Sequence, residues 1–264
     1  MQKRTKLVKL LRIVMEAVRV APVESELETE NRALGAAPPE EVIAWAVGSF
    51  GEALVASTSF GATSAVMLHL IHRVAPKTPI ICVDTGYLFA ETYQFADALT
   101  KQLDLDVRFY SAEMSAARQE ALYGRLWEQG EEGVKRYLQI NKVEPMQRAL
   151  DELGAEAWMA GLRSEQTTHR ASLRRIDRQD GRIKIHPILN WSAEDVKAYM
   201  KRYDLPYHPM FEQGYRSIGD HHSTIPTTAD MDPRDGRILG QTRECGLHLP
   251  LTKEQDQSLK SSGL

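Results

Sequence analysis

Three observations predict a doubly wound α/β fold built on a mainly parallel sheet. Short apolar runs recur along the chain, among them ALVAS (53–57), PIICVDTG (79–86) and EAWMAGLR (156–163). Helical patterns separate the strands at the pace of βαβ units. The runs also end in small or polar turns, and ligands bind such sheets beyond the carboxyl ends of their strands.

The elements follow in order. ETENRAL reads as a helix, Gly35 to Pro39 as a turn, and the next stretch as a helix ending at Gly48. ALVAS is a first strand, TSFGATS a small-residue turn, and AVMLHLIHRV a helix stopped in the region of Pro76. PIICVDTG is a buried strand ending in a polar turn, LFAETYQFADALTKQLDL an amphipathic helix, and DVRFYSA a third strand. Residues 113–153 read as helices, EAWMAGLR as a fourth strand, SEQTTHRASLRR as a basic loop and RIKIHPIL as a further strand. NWSAEDVKAYMKRYDL is a helix with Ser192 as N-cap and Asp195 at the capping-box position. The remainder reads as loop and tail. This divides the chain into an N-terminal extension (1–24), an α/β domain (25–215) and a C-terminal tail (216–264). The extension, basic and amphipathic, reads as a packing helix; charges interrupt any apolar core of a secretory signal.

Composition narrows the function. At 264 residues with 42% hydrophobic and 26% charged residues, the chain has the make-up of an ordinary globular protein. A formal net charge of −3 argues against general nucleic-acid binding. No apolar run reaches the roughly 20 residues of a membrane helix. Cys82 and Cys245, the only cysteines, exclude a disulfide-stapled scaffold and suggest a reducing, cytoplasmic setting. Cys82 lies in an apolar strand and reads as core.

Three turns could gather at one sheet edge. STSFGATS offers small residues whose backbone N–H groups can approach a phosphate, but it matches neither common phosphate-loop pattern. DTGYLFAET carries Asp84, which suits a ribose or amine and equally well a helix cap. AGLRSEQTTHR carries Arg163 and Arg170, which suit an anion and equally well a solvated basic loop. Together they favour a nucleotide site. A zinc site can be drawn from Cys245, His248, His221 and His222, but its poverty in thiolates weighs against it, and no metal is expected.

In this order the chain also shows SFG, DTGYLF.ET, YG.LWEQG, NKVEPM.RAL, AGLR.EQ, GYRSIGD.HST and the tail ECGLH. In these motifs, from about residue 25 to residue 249, it resembles the phosphoadenylyl-sulfate (PAPS) reductases of assimilatory sulfate reduction. The resemblance implies the adenine-nucleotide α-hydrolase (PP-loop) fold with a mobile C-terminal tail. It implies Cys245 as the nucleophile that takes the sulfonyl group of PAPS, and thioredoxin or glutaredoxin as the donor that releases sulfite. The substrate would be held by Ser57, Ser59, Phe60 and Gly61, by Asp84, Thr85 and Gly86, and by Lys142, Arg163 and Arg170. Tyr215 and His222 would line the closed site. Two cysteines cannot supply the four thiolates of a standard iron–sulfur cluster, so no cluster is expected. Such proteins are commonly homodimers. Ser164 and the TTH segment depart from the family pattern and leave the substrate contacts open. Three alternatives stand: a cluster-free reductase of adenylyl sulfate (APS), a PP-loop ATP pyrophosphatase, and a non-catalytic binding module. The missing aspartate of an SGGxDS loop weighs against the second.

Overall fold

A computed structural model describes residues 24–228, 230–237 and 246–251. Residues 1–23 and, in the predicted tail, residues 229, 238–245 (Cys245 among them) and 252–264 lie outside the described residues. Two helices, α1 (Glu24–Leu34) and α2 (Pro39–Phe50), lead into strand β1 (Leu54–Thr58). Then come α3 (Ala65–Val74), β2 (Ile80–Asp84), α4 (Ala90–Gln102) and β3 (Val107–Ser111). Helices α5 (Ala116–Tyr123), α6 (Gly130–Leu138) and α7 (Glu144–Glu152) precede β4 (Ala157–Ala160). The short α8 (Thr168–Ala171), strands β5 (Ile176–Gln179) and β6 (Arg182–Ile185), and α9 (Ala193–Arg202) complete the regular elements.

The six strands lie in the order β3-β2-β1-β4-β6-β5, all parallel except β5, which pairs antiparallel with β6. Strand order reverses between β1 and β4, and that reversal opens a crevice at their carboxyl ends. Side chains alternate across the sheet. Leu54, Ala56, Ile80, Cys82 and Met159 join one core with Leu27, Val42, Ile43, Leu68 and Val196 from α1, α2, α3 and α9. Val55, Ile81, Trp158 and Ala160 join the other with Met146, Ala149 and Leu150 of α7. Apolar residues on both faces explain the near-continuous hydrophobic runs of the parallel strands.

Strand β5 is not among the elements predicted from sequence; it lies between the predicted basic loop SEQTTHRASLRR and the predicted strand RIKIHPIL. IDRQ is too polar to stand out as a strand, but Asp180 and Gly181 at φ 50° and 81° turn it back into RIKI, pairing Gln179 with Arg182. Asp-Gly between two strand-forming stretches is a strong hairpin signal. The capping box of α9 stands as expected, with Ser192 and Asp195 exchanging hydrogen bonds. A π turn, Gln139–Val143, joins α6 to α7 just before Pro145, which supplies no backbone donor.

Ile81 is fully buried in the middle of the sheet. Ile81→Ala should lower unfolding stability in urea by about 2–5 kcal/mol. A loss below about 1 kcal/mol would contradict the close-packed central position of β2.

Candidate active site

Above the β1–β4 reversal lies a cavity of about 760 Å³. Ser57 and Thr58 reach it from the end of β1, and Ser59, Gly61, Thr63 and Ser64 from the turn into α3. The amino end of α3 therefore faces the same space, where the positive end of the helix dipole favours an anion. Gly161, Arg163 and Arg170 enter after β4, and Arg216, Arg234 and Arg237 from the chain after α9. Cations outnumber the carboxylates of the lining, which gives the cavity a positive potential that favours anions.

Lys142 is brought in by the π turn. Its Nζ lies 2.6 Å from the Asp220 carboxylate, and both side chains are more than nine-tenths buried. The Thr85 hydroxyl, at the end of β2, donates to the other Asp220 oxygen at 2.7 Å. Burial alone would raise the Asp220 carboxyl. The charge and hydrogen bond of Lys142, the Thr85 hydroxyl and the charge of Arg237 outweigh it and hold the group at about 2. Beside them, burial and the Asp220 charge push the Tyr137 phenol up, keeping it protonated. Gly219 allows Arg237 to cross the chain here: a Cβ would lie against its guanidinium, whose Nη1 donates to the Ile218 carbonyl at 3.0 Å.

The segment Gly246–Leu251 returns to the wall of this cavity. Gln179 Nε2 donates to the Leu247 and Leu249 carbonyls at 3.2 and 3.0 Å, and Leu251 N–H donates to Asp180 at 2.9 Å. A Cβ on Gly246, the residue after Cys245, would touch Val143 and Leu138, beside Lys142 in the chain. His248 lines the cavity with its ring 5.6 Å from the Trp158 ring. Burial first, then Lys184 and Arg170, push its pKa well below the ordinary imidazole value.

Of the predicted site residues, Ser57, Ser59, Gly61, Thr85, Lys142, Arg163 and Arg170 share the cavity lining. Five others stand outside it. Phe60 takes a φ of 45° and buries its ring completely, stacked on Phe109 at 6.4 Å. The Asp84 carboxylate braces the turn, accepting from Gly86 N–H at 2.9 Å and from Tyr93 Oη at 2.6 Å. Tyr215 packs edge-on to Phe89, and His222 stacks on Trp127 at 3.9 Å, beside Tyr87 and Tyr137. Burial holds His222 neutral, at about 4. Arg216, Asp220 and Arg237 went unrecognised; the first two lie within GYRSIGD.HST, next to or two residues from the residues chosen, so the motif was seen and its inward side misread. Cys82 is core as expected, its thiol pushed up to about 12 by burial and then by Asp84.

A mainly parallel sheet whose crevice gathers a small-residue turn, a helix amino end and clustered guanidinium groups defines an α/β protein of the PP-loop kind. The fold is shared with FMN adenylyltransferase from Candida glabrata, at TM-score 0.50 and 13% identity over 92% of this chain and 87% of that one. Residues 53–226 match the phosphoadenosine phosphosulfate reductase domain, and the chain belongs to that family of oxidoreductases. A relative from Synechocystis sp., named phosphoadenosine 5′-phosphosulfate reductase, is 53% identical over 241 residues, 90% of this chain and 97% of its own. The crystal structure of phosphoadenylyl-sulfate (PAPS) reductase from Candida auris, a phosphate complex, is 33% identical at TM-score 0.70. It covers 78% of this chain and 99% of that one. Among the described residues, no helix is long and apolar enough to cross a membrane.

The Asp220 carboxyl is held below its ordinary 3.8, so its contribution to stability is present above that pH and is lost as pH falls towards about 2. Asp220→Asn should cost about 3–5 kcal/mol at pH 7, because the Lys142 charge stays buried without its partner. The variant should also lose less between pH 5 and pH 2 than the parent, read by urea unfolding at each pH. An identical acid limb in both proteins would rule out the pair as its source.

Proposed function

We propose that this chain reduces PAPS to sulfite and adenosine 3′,5′-bisphosphate, with thioredoxin or glutaredoxin as donor, as a step of sulfate assimilation in the cytoplasm. The observation that carries this reading is the docking of Gly246–Leu251, the segment directly after Cys245, on the wall of the cation-lined cavity. Residues 216–264 are read as the catalytic tail, contributing Arg216, Asp220 and Arg237 as well as the thiol.

In this mechanism the adenine nucleotide lies across the crevice. Ser57, Ser59, Gly61 and the amino end of α3 receive its phosphate side, and Arg163, Arg170 and Lys142 its anionic groups. The Cys245 thiolate attacks the sulfonyl sulfur. An S–S bond forms, the bond from sulfur to the phosphate oxygen breaks, and its electron pair leaves with the phosphate. A thiolate of the donor then attacks Cys245 Sγ, and sulfite departs with the bonding pair. The second thiol of the donor resolves the mixed disulfide, which restores the Cys245 thiolate. Sulfur is reduced by two electrons and the donor dithiol becomes a disulfide. Asp84, Gly86, Phe60, Tyr215 and His222 serve by shaping the turns around the site.

The test mixes reduced protein separately with PAPS and with APS and reads the intact mass. One added SO₃ from PAPS is expected, absent in Cys245→Ser and released as sulfite by reduced thioredoxin. An adduct from APS alone would assign the chain to APS reduction, and no adduct from either would overturn Cys245 as nucleophile.

A further inference from the structure

The geometry points to Lys184 as a positioning residue that fixes His248 as the Nε2–H tautomer and so makes it a neutral hydrogen-bond donor in the cavity. What that donor serves rests on the reading above; the tautomer does not.

Lys184 Nζ lies 3.0 Å from His248 Nδ1. An ammonium has three donors and no acceptor, so Nδ1 must be the accepting nitrogen and the proton of the neutral ring sits on Nε2. The surroundings hold both groups in place. Lys184 is 3% exposed, donates to Gln179 Oε1 at 2.5 Å and stands 4.1 Å from the centre of the Trp158 ring. The other side of the clamp is the tail backbone, gripped by Gln179 at Leu247 and Leu249 and by His169, whose Nε2 donates to the His248 carbonyl at 3.2 Å. Trp158 in turn donates to Ser57 Oγ at 2.6 Å, tying this wall to the turn after β1.

The charges around the ring agree. Lys184 and His186 come from β6 and its end, Arg170 from α8 and Arg234 from the late turn, and all four oppose an imidazolium. Asp180 approaches through Leu251 N–H, and Asp232 lies on the cavity lining. His248 therefore keeps one N–H to offer and has no proton to give away. As the bond from sulfur to the phosphate oxygen breaks, that oxygen gains charge, and a fixed N–H donor stabilises it without transferring a proton. The leaving phosphate departs as an anion, and atoms and charge balance with His248 unchanged. Lys184 acts through His248 alone and need not touch the substrate.

Full-length protein labelled with ¹⁵N-histidine tests the assignment by two-bond ¹H–¹⁵N correlation, with His248→Gln identifying the signals. The parent should show the neutral Nε2–H pattern for His248 from pH 7 down to pH 5. Lys184→Met should show mixed tautomers or protonation within that range, and Lys184→Arg should keep the parent pattern. In sulfite release, Lys184→Met should lower kcat about tenfold with KM changed less than threefold, and should add less than twofold on the His248→Gln background. An Nδ1–H pattern in the parent, or an unchanged pattern in Lys184→Met, would overturn the assignment. So would a rise in KM at constant kcat, which would leave Lys184 as a tail clamp only. The parent spectrum, assigned against His248→Gln, needs no turnover, so it can fail or succeed apart from the SO₃ adduct test.

Discussion

The candidate site depends on one buried ion pair. Lys142 and Asp220 are both removed from water, which is costly for each charge taken singly. Together, and with the Thr85 hydroxyl on the second carboxylate oxygen, they form a satisfied unit that joins three distant parts of the chain. Thr85 brings the end of β2, Lys142 the π turn between α6 and α7, and Asp220 the irregular segment after α9. The pair leaves little freedom in where Lys142 can sit. That rigidity matters more to the site than any net stabilisation, since a buried pair of this kind is weak evidence for stability.

Around the pair, the molecule concentrates positive charge where the parallel sheet already offers a crevice. The strand reversal supplies the space, the turn after β1 supplies backbone donors, and arginines from two separate segments supply charge. The antiparallel β5 gives the sheet a different kind of edge. Its hairpin presents Gln179, Asp180 and Lys184 to the returning chain, so the part of the fold that breaks the parallel pattern is the part that receives the residues following Cys245.

How much of this could be read from the sequence depended on whether the signal was local. The parallel strands, the helices between them and the Ser192–Asp195 cap were legible because hydrophobic period and capping chemistry lie within a few residues. β5 was not, because its pairing rather than its composition makes it a strand. In the site, Ser57, Thr85, Lys142 and Arg170 were recognised, whereas Asp220 was passed over for His222 two residues on. A motif in irregular chain carries no period from which to tell inward from outward side chains. Asp84 shows the same limit from the other side: it ends a strand at the right edge, yet its carboxylate is engaged by Gly86 and Tyr93.

The Thr85–Asp220 hydrogen bond spans 135 positions of sequence, and this has a consequence for biosynthesis. Asp220 follows Lys142 by 78 residues, so at ordinary ribosomal speeds the lysine is made roughly 4–16 s before its counter-charge. The strands of the sheet are all synthesised in that interval or before it. A nascent chain can thus assemble its sheet while the lysine side chain still has to remain in water, and the crevice acquires its final form only when the last quarter of the polypeptide arrives. Chains cut short after the last strand but before Asp220 would carry an assembled sheet with an ammonium group that cannot be buried, which marks them for aggregation or for the cell's proteases.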